Sequence, residues 1–414
     1  MIEIKNKKDC CGCEACVQAC AKQCISFQQD SQGFFYPVVD KDNCVNCGLC
    51  DKVCPIINVE NYHLPQTTPV YAAYNINDEQ RKTSSSGGIF ELLANNIISK
   101  KGVVFGALFD EEWNVVHGYA EDAGHIEALK RSKYVQSRIG ESFKLTKKFL
   151  HEGRMVLFVG TPCQISGLKH YLRKEYDNLI TVDVVCHGVP SPSIWKKYLS
   201  EIRRELRLSH NFESEKNVSI TNISFRDKIE SWRRFHFSFT YQLKKNGIDA
   251  IGPDSIFETK SQYIWENDYM LSFLKDYANR PSCFDCKFRD GKCRSDLTLA
   301  DFWGIQRLSK NEDLIGEKGT SLVMVHTSKG REIFENIDCY KELFDFSKSF
   351  VGNPAVFKSW PKPISHDYFF RSCKRHNIRT SYNKANSIQT KYQNIVKPIN
   401  RIINKIKRVW QRLV

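Results

Sequence analysis

The sequence predicts an α/β protein with α+β elements: a small cysteine-rich unit over residues 1–60, a larger domain with a mixed sheet over 61–383, and a basic amphipathic helix over 384–414. Three observations predict it. Eight of the seventeen cysteines recur at regular spacing within the first 60 residues. From about residue 70 to 209, short apolar runs alternate with helical patterns, the signature of a largely parallel sheet covered by helices. The last 31 residues hold eight Lys/Arg and no acid. A chain of 414 residues is also too long for one ordinary core.

The first unit is read from its spacing. Cys10, Cys13, Cys16 and Cys20 form C-x2-C-x2-C-x3-C, and Cys44, Cys47, Cys50 and Cys54 repeat it, ending in Pro55. This is the bacterial two-cluster ferredoxin pattern, in which the fourth cysteine of each run serves the other cluster. One [4Fe-4S] cluster is therefore expected on Cys10, Cys13, Cys16 and Cys54, and the second on Cys44, Cys47, Cys50 and Cys20. Gly12, Ala15 and Gly48 are small where the backbone must wrap closely. A zinc ribbon would use two pairs of cysteines, not two runs of triple-plus-one. Two departures stand out: Ala21 follows Cys20 where proline is usual, and Cys11 and Cys24 are extra thiols that could compete as ligands.

The linker "NVENYHLPQTTP" (58–69) leads into the strand "VYAAYNI". "TSSSGG" opens a helix from about Gly87 to Lys100, stopped by Gly102. "VVFGALFD" and "WNVVHGYAE" are strands, and 125–153 is largely helical with a break near 132–138. "RMVLFVG" is an apolar strand turning at "TPCQ" into the helix "ISGLKHYLRKEY". "NLITVDVV" is a strand, and "SIWKKYLSEIRREL" a helix. Residues 210–260 alternate, as in "FHFSFTYQL", and predict antiparallel strands.

Ligands collect at the carboxyl ends of strands in such sheets. Cys163 and Cys186 lie at two of those ends, and "RPSCFDCKF" adds the pair Cys283 and Cys286. Four thiolates suffice for a third cluster. Cys293 competes as its fourth ligand, and single buried thiols are as often inert packing. Cys163, after Thr-Pro, could alternatively be a nucleophile. Cys339 and Cys373 read as structural. The "SSSGG" helix start offers open N–H groups to an anion, although a Ser cap with glycines is more often only a cap. "RSKYVQS" (131–137) reads by itself as a solvated loop carrying a lysine and hydroxyls.

Together, "SSSGGIF", "KYVQSRIG", "VGTPCQISGLK", "VCHGVPSP", "RPSCFDCKF" and "SDLTLADFWGI" resemble the coenzyme F420 hydrogenase/dehydrogenase beta-subunit family, in the variant with an N-terminal two-cluster ferredoxin domain. The resemblance runs to about residue 375. It implies a catalytic domain with FAD beside a third [4Fe-4S] cluster on Cys163, Cys186, Cys283 and Cys286, which demotes Cys293. It implies that Ser85, Ser86, Gly87 and Gly88 approach the flavin phosphates. Lys133, Tyr134, Thr161, Pro162 and Gln164 would line the flavin, with Asp301 and Gly304 near it. Members differ in acceptor, and no feature identifies F420 here. Bacterial members with "CHGVPSP" and "DFWGI" resemble proteins of surface-polysaccharide gene sets.

The implied function is an iron–sulfur flavoprotein oxidoreductase. Electrons would pass from an external carrier such as ferredoxin, through the clusters, to FAD and a small-molecule acceptor, or in reverse. A flavin couples one-electron carriers to two-electron organic chemistry. His187, beside Cys186, is the candidate proton donor; a structural histidine bonding the loop is the competing reading. The second function class is a non-catalytic electron-transfer subunit of a larger complex.

The formal charge is +14. It is uneven: residues 1–60 carry −2 and residues 384–414 carry +8. An acidic first unit on a basic body should dock electrostatically. The tail sets Ile395, Ile399, Ile402, Ile403, Ile406, Val409, Trp410 and Leu413 on one helical face, with Pro398 near the helix start. Such a helix binds an anionic membrane or a partner, or packs on the protein itself. Nucleic-acid binding rests on charge alone, with no accompanying motif. No window reaches the length of a membrane span and the N-terminus lacks a signal-peptide run, so a reducing cytoplasm is expected, with a peripheral seat at the inner membrane face if the tail binds lipid.

Overall fold

The computed structural model describes residues 1–210, 214, 218–243 and 256–410; the side chains of residues 256, 397 and 399–410 lie outside the description. The strands are β1 (Ile25–Gln29), β2 (Phe35–Val39), β3 (Val70–Asn75), β4 (Val103–Phe109), β5 (Val115–Ala120), β6 (Val156–Gly160), β7 (Leu179–Val184), β8 (Val218–Asp227), β9 (His236–Leu243), β10 (Ile256–Tyr263), β11 (Leu297–Asp301), β12 (Ser321–Val325) and β13 (Cys339–Phe344).

The main sheet has eight strands in the order β13-β3-β12-β11-β7-β6-β4-β5. Strands β4, β6, β7 and β11 run parallel. Strand β12 is antiparallel to both β11 and β3, so β3 points the same way as β11. The sheet is mixed, as the alternation of apolar runs and helices predicts. Its central strands are buried on both faces, which is why they read as unbroken apolar runs. The carboxyl ends of β3, β4, β6, β7 and β11 therefore share one edge.

Each face carries its own core. Ile89, Leu93, Ala94 and Ile97 of the helix Ile89–Ser99 pack on Val104, Leu157, Ile180 and Val182. On the other face, Phe143 and Phe149 of the helix Ser142–His151 and Ile165 and Leu168 of the helix Pro162–Leu172 cover Val103, Phe105, Val156 and Phe158. Strands β8, β9 and β10 form a separate antiparallel sheet over the helix Pro192–Ser209.

The N-terminal unit, with its β1–β2 hairpin, is not held by charge alone. Ala15, Cys16, Ile25 and Val53 belong to the same buried cluster as Phe143 and Leu168. Gln18 Oε1 accepts the N–H groups of Phe143 and Lys144 at 3.0 and 3.2 Å, so the first unit caps a helix of the body. Buried Glu14 accepts Arg138 Nε at 2.6 Å and the Ile139 N–H at 3.1 Å. A shared apolar core with paired polar groups does the docking; of the ion pairs across it, Glu14–Arg138 has the buried carboxylate, while Lys8–Asp285 and Glu60–Arg294 are exposed. The linker is also anchored: His63 Nδ1 lies 2.6 Å from Asp290, and Leu64 is buried.

The last helix runs Ile378–Trp410, so Pro398 lies inside it rather than near its start. The structure has no strand or loop at 384 to mark a tail. Ala385 is fully buried, and Tyr277 Oη donates to Asn386 at 3.1 Å. The apolar face from Ile399 onward falls outside the described side chains. Among the described residues, no helix is long and apolar enough to cross a membrane.

Candidate functional site

Cys10, Cys13, Cys16 and Cys54 line one pocket together with Ile2, Ile4, Phe27 and Pro37. Local backbone geometry brings them there: Gly12 and Glu14 both adopt positive φ, turning the chain between successive thiols before the short helix Ala15–Ala19 begins. Burial, then the nearness of Cys10, Cys54 and Cys50, pushes the Cys16 thiol far up. Such crowded buried thiols exist as thiolates only with metal to stabilise them. A single zinc ion would need four sulfurs at about 2.3 Å from one point. Among the described residues no group of three or more His, Cys, Asp or Glu side chains is set around a single point.

The second set is more open. Cys20 lies 3.4 Å from Cys24, which also bonds toward Cys44. The Ile2 N–H donates to Cys50 Sγ at 3.2 Å, and the Met1 amino group lies near both Cys50 and Cys44. Cys47 is exposed, flanked by exposed Val45. The extra thiol of Cys24 thus stands among the second set, and the other extra thiol stands elsewhere.

That other thiol, Cys11, reaches the body. It is an electrostatic neighbour of both Cys13 and Cys163. Cys163 sits in the first turn of the helix Pro162–Leu172, whose start is fixed by a capping box between Thr161 and Gln164. Thr161 Oγ1 lies 3.2 Å from Cys163 Sγ. Cys163, Cys186, Cys283 and Cys286 form one electrostatic neighbourhood: Cys163 helps raise the pKa of the other three, and Cys186 and Cys286 help raise that of Cys283. Burial comes first among those causes and pushes Cys186 up to about 12. Cys293 instead adjoins Asp183 and Ser295. Arg289 gathers the loop by donating to the carbonyls of Cys186, His187 and Ala355.

On the same sheet edge, the loop 84–88 is held from several sides. Ser85 Oγ accepts the Ser132 N–H at 2.9 Å, Ser86 Oγ donates to Thr320 O, and the Gly87 N–H donates to Ser321 Oγ. Gly87 has no room for a side chain: a Cβ would stand 2.5 Å from Ala73 O. Three cations, buried Arg81 and half-buried Lys133 and Lys228, surround this loop with only carbonyls as hydrogen-bond partners. Lys228 donates to Arg81 O, Ser86 O and Lys318 O. Lys133 donates to Lys130 O and Arg131 O. Arg81 donates to Gly319 O and Asp313 O. Burial, aided by Arg226 for Lys228 and by Arg131 for Lys133, pushes both lysines down to about 7. An anion seated there would restore their charge. The chemistry of this donor set fits a phosphate-bearing group.

Residues 153–343 match the family model for the C-terminal part of the coenzyme F420 hydrogenase/dehydrogenase beta subunit. Residues 9–57 match a 4Fe-4S dicluster domain. Over these stretches the chain is similar to the F420 hydrogenase/dehydrogenase beta subunit and to dicluster ferredoxin domains. It is an iron–sulfur electron-transfer protein related to that beta subunit, with a dicluster domain at residues 9–57. A solved structure, of the F420-reducing [NiFe] hydrogenase complex from Methanosarcina barkeri, is similar over 81% of this chain and 96% of that chain, with 14% identity and a TM-score of 0.41. No curated protein matches.

The remaining expected site residues are engaged in the fold. Both functional ends of Gln164 are taken, Oε1 by Thr161 and Nε2 by Ser137 Oγ at 2.8 Å. Pro162 occupies the first helical turn. Asp301 pairs with buried Arg226 and accepts Trp232 Nε1 at 2.7 Å. Gly304 takes φ +90° after Trp303, which stacks on Trp232 at 4.8 Å. The Tyr134 ring stacks on Phe273 at 4.9 Å. His187 Nδ1 accepts Trp360 Nε1 at 3.0 Å, and its Nε2 faces Asp276 Oδ1 at 3.1 Å. Lys228, Arg81, Arg280 and Gln136 went unmarked by sequence reasoning. Only Arg280, three residues before Cys283, carried a signal by position.

Proposed function

We propose that the chain is an iron–sulfur flavoprotein oxidoreductase that exchanges electrons between an external carrier such as ferredoxin and a small organic acceptor, the surface-polysaccharide setting being the one its motifs favour. Its units are 1–60, 61–383 and 384–414. Three [4Fe-4S] clusters would be held by Cys10, Cys13, Cys16 and Cys54; by Cys20, Cys44, Cys47 and Cys50; and by Cys163, Cys186, Cys283 and Cys286. The observation that carries the reading is the closeness of the first set to the third: the Cys11 thiol neighbours both Cys13 and Cys163, and Gly167 on the helix that carries Cys163 lies against Cys13. It supports one continuous thiol array from the exposed Cys47 to the sheet edge.

FAD would lie with its phosphates at Ser85–Gly88, within reach of Lys133 and Lys228. When bound, it couples single-electron carriers to two-electron organic chemistry. The chain's own part is positional. The Thr161–Gln164 cap fixes Cys163, and the Lys228 bonds to three carbonyls fix the 84–88 loop. Because His187 Nδ1 accepts from Trp360, the other ring nitrogen, Nε2, is the one placed to carry a proton, and His187 beside Cys186 would be the proton donor. The tail would seat the protein on an anionic membrane or a partner.

Anaerobic purification with iron, sulfide and flavin quantified tests the proposal. About twelve irons and one FAD per chain are expected, and a Cys283→Ser, Cys286→Ser variant should lose about four irons. Iron without flavin would favour the non-catalytic electron-transfer subunit. Zinc in place of iron would end both readings.

A further inference from the structure

Arg280 is fully buried, and among the described residues no carboxylate pairs with it. Its Nε donates to Cys10 O at 2.9 Å, Nη1 to Gln136 Oε1 at 3.0 Å and Nη2 to Phe35 O at 2.9 Å. Its own carbonyl accepts the Cys283 N–H at 2.9 Å. One residue thus grips a ligand of the first thiol set through its side chain and a ligand of the third through its main chain. The approach is built in. Gly12, at φ +74°, lies flat on the guanidinium, and a Cβ there would stand 3.0 Å from Nη1 and 2.5 Å from Gln136 Nε2. Tyr36 covers the other side, with the guanidinium 4.3 Å from its ring centroid.

A buried charge without a counter-charge is expensive, and the fold supplies only neutral acceptors. Besides the Tyr36 phenol, the ionisable groups around Arg280 are thiols: Cys10 of the first set, Cys283 of the third and Cys11 between them. We propose that Arg280 is the shared counter-charge of the two inner clusters, and that it raises the reduction potential of both together. This rests on the three-cluster reading above. Each one-electron reduction adds one negative charge to a cluster, which a fixed neighbouring cation stabilises. The outer cluster, on Cys20, Cys44, Cys47 and Cys50, has beside it the Met1 amino group, which pairs with Asp51 at 3.1 Å; Arg280 does not touch that set, so its signal should not respond.

The decisive variant is Gln136→Glu. It is nearly isosteric and sets a carboxylate against the guanidinium, cancelling the charge without removing the side chain. In redox titrations of the full chain followed by electron paramagnetic resonance, both inner clusters should become at least tenfold harder to reduce, about 59 mV for one electron. Arg280→Gln should do the same, and Arg280→Lys should stay within threefold of the unsubstituted chain. The outer signal, identified by its loss in Cys47→Ala, should not move. If Arg280→Gln fails to fold, Gln136→Glu still decides. Unmoved inner potentials in Gln136→Glu, or an equal shift in all three signals, overturn the proposal while leaving twelve irons in place. An unsubstituted chain with only about eight irons overturns the three-cluster reading, and this proposal with it.

Discussion

Gly167 sits in the middle of the helix Pro162–Leu172, where glycine is ordinarily a weakness. Replacing it with alanine should gain about 0.5–1 kcal/mol from backbone entropy. The structure argues for the opposite sign. A Cβ at 167 would stand 2.8 Å from Cys13 Cβ, 3.0 Å from Cys13 Sγ and 3.5 Å from Phe143 Cε2. Optimal carbon contacts are about 3.5–4.0 Å, so Cys13 must retreat. It cannot do so by rotating, because its own Cβ is the atom struck. Overpacking of this kind costs about 1–3 kcal/mol. The net expectation for Gly167→Ala is a loss of roughly 0.5–2 kcal/mol, with Cys13 displaced from its cavity. Urea unfolding under anaerobic conditions, followed by tryptophan fluorescence, should show a lower midpoint at unchanged slope. Cluster absorbance should fall earlier than in the parent chain. A midpoint unchanged or raised would refute the reasoning, because it would mean the cysteine-rich unit does not press on this helix.

Burial pushes His117 down from 6.5 to about 4. Below pH 6.5 the unfolded chain takes up a proton that the folded chain refuses, so stability falls as pH drops toward 4. At pH 5.5 the loss is about 1.4 kcal/mol; His117→Gln should remove that part of the difference in urea midpoints between pH 7.5 and 5.5, and an identical pH profile would contradict it. Asp301→Ala should cost about 3–5 kcal/mol in thermal melts, because it strands buried Arg226 and leaves Trp232 Nε1 unpaired; a loss under 1 kcal/mol would show the pair is dispensable. A chain ended after Thr390 keeps Ala385, Asn386 and Gln389 packed on the body. It should fold normally yet lose flotation with vesicles of anionic lipid, and equal flotation of both chains would locate membrane contact elsewhere.

What the sequence made legible was local. The cysteine runs could be read because spacing alone fixes which thiols can share a cluster, and β4, β6 and β7 because strands buried on both faces are continuously apolar. Long-range pairings had no such mark. Gln18 looks like any surface glutamine, yet it caps a helix that starts 124 positions after it. Lys228 lies in a polar stretch, and nothing in "RDKIE" says that its ammonium will close on three carbonyls from distant loops. The tail shows the converse: its periodicity gave a helix, but the start at Ile378 is set by packing against Tyr277 and the helix His366–Cys373. Charge counts suggested how the first unit would dock, and burial of Ala15, Ile25 and Val53 did most of that work instead.

The bond from Arg280 to Cys10 spans 270 positions. A ribosome adds about 5–20 residues per second. The cysteine-rich segment therefore emerges roughly fifteen to fifty seconds before the side chain that completes its wall has been synthesised. During that interval its thiols stand open to oxygen and to any passing metal. Assembly of the centre is thereby tied to the pace of translation, and a nascent chain stalled before codon 280 should collect the wrong ions.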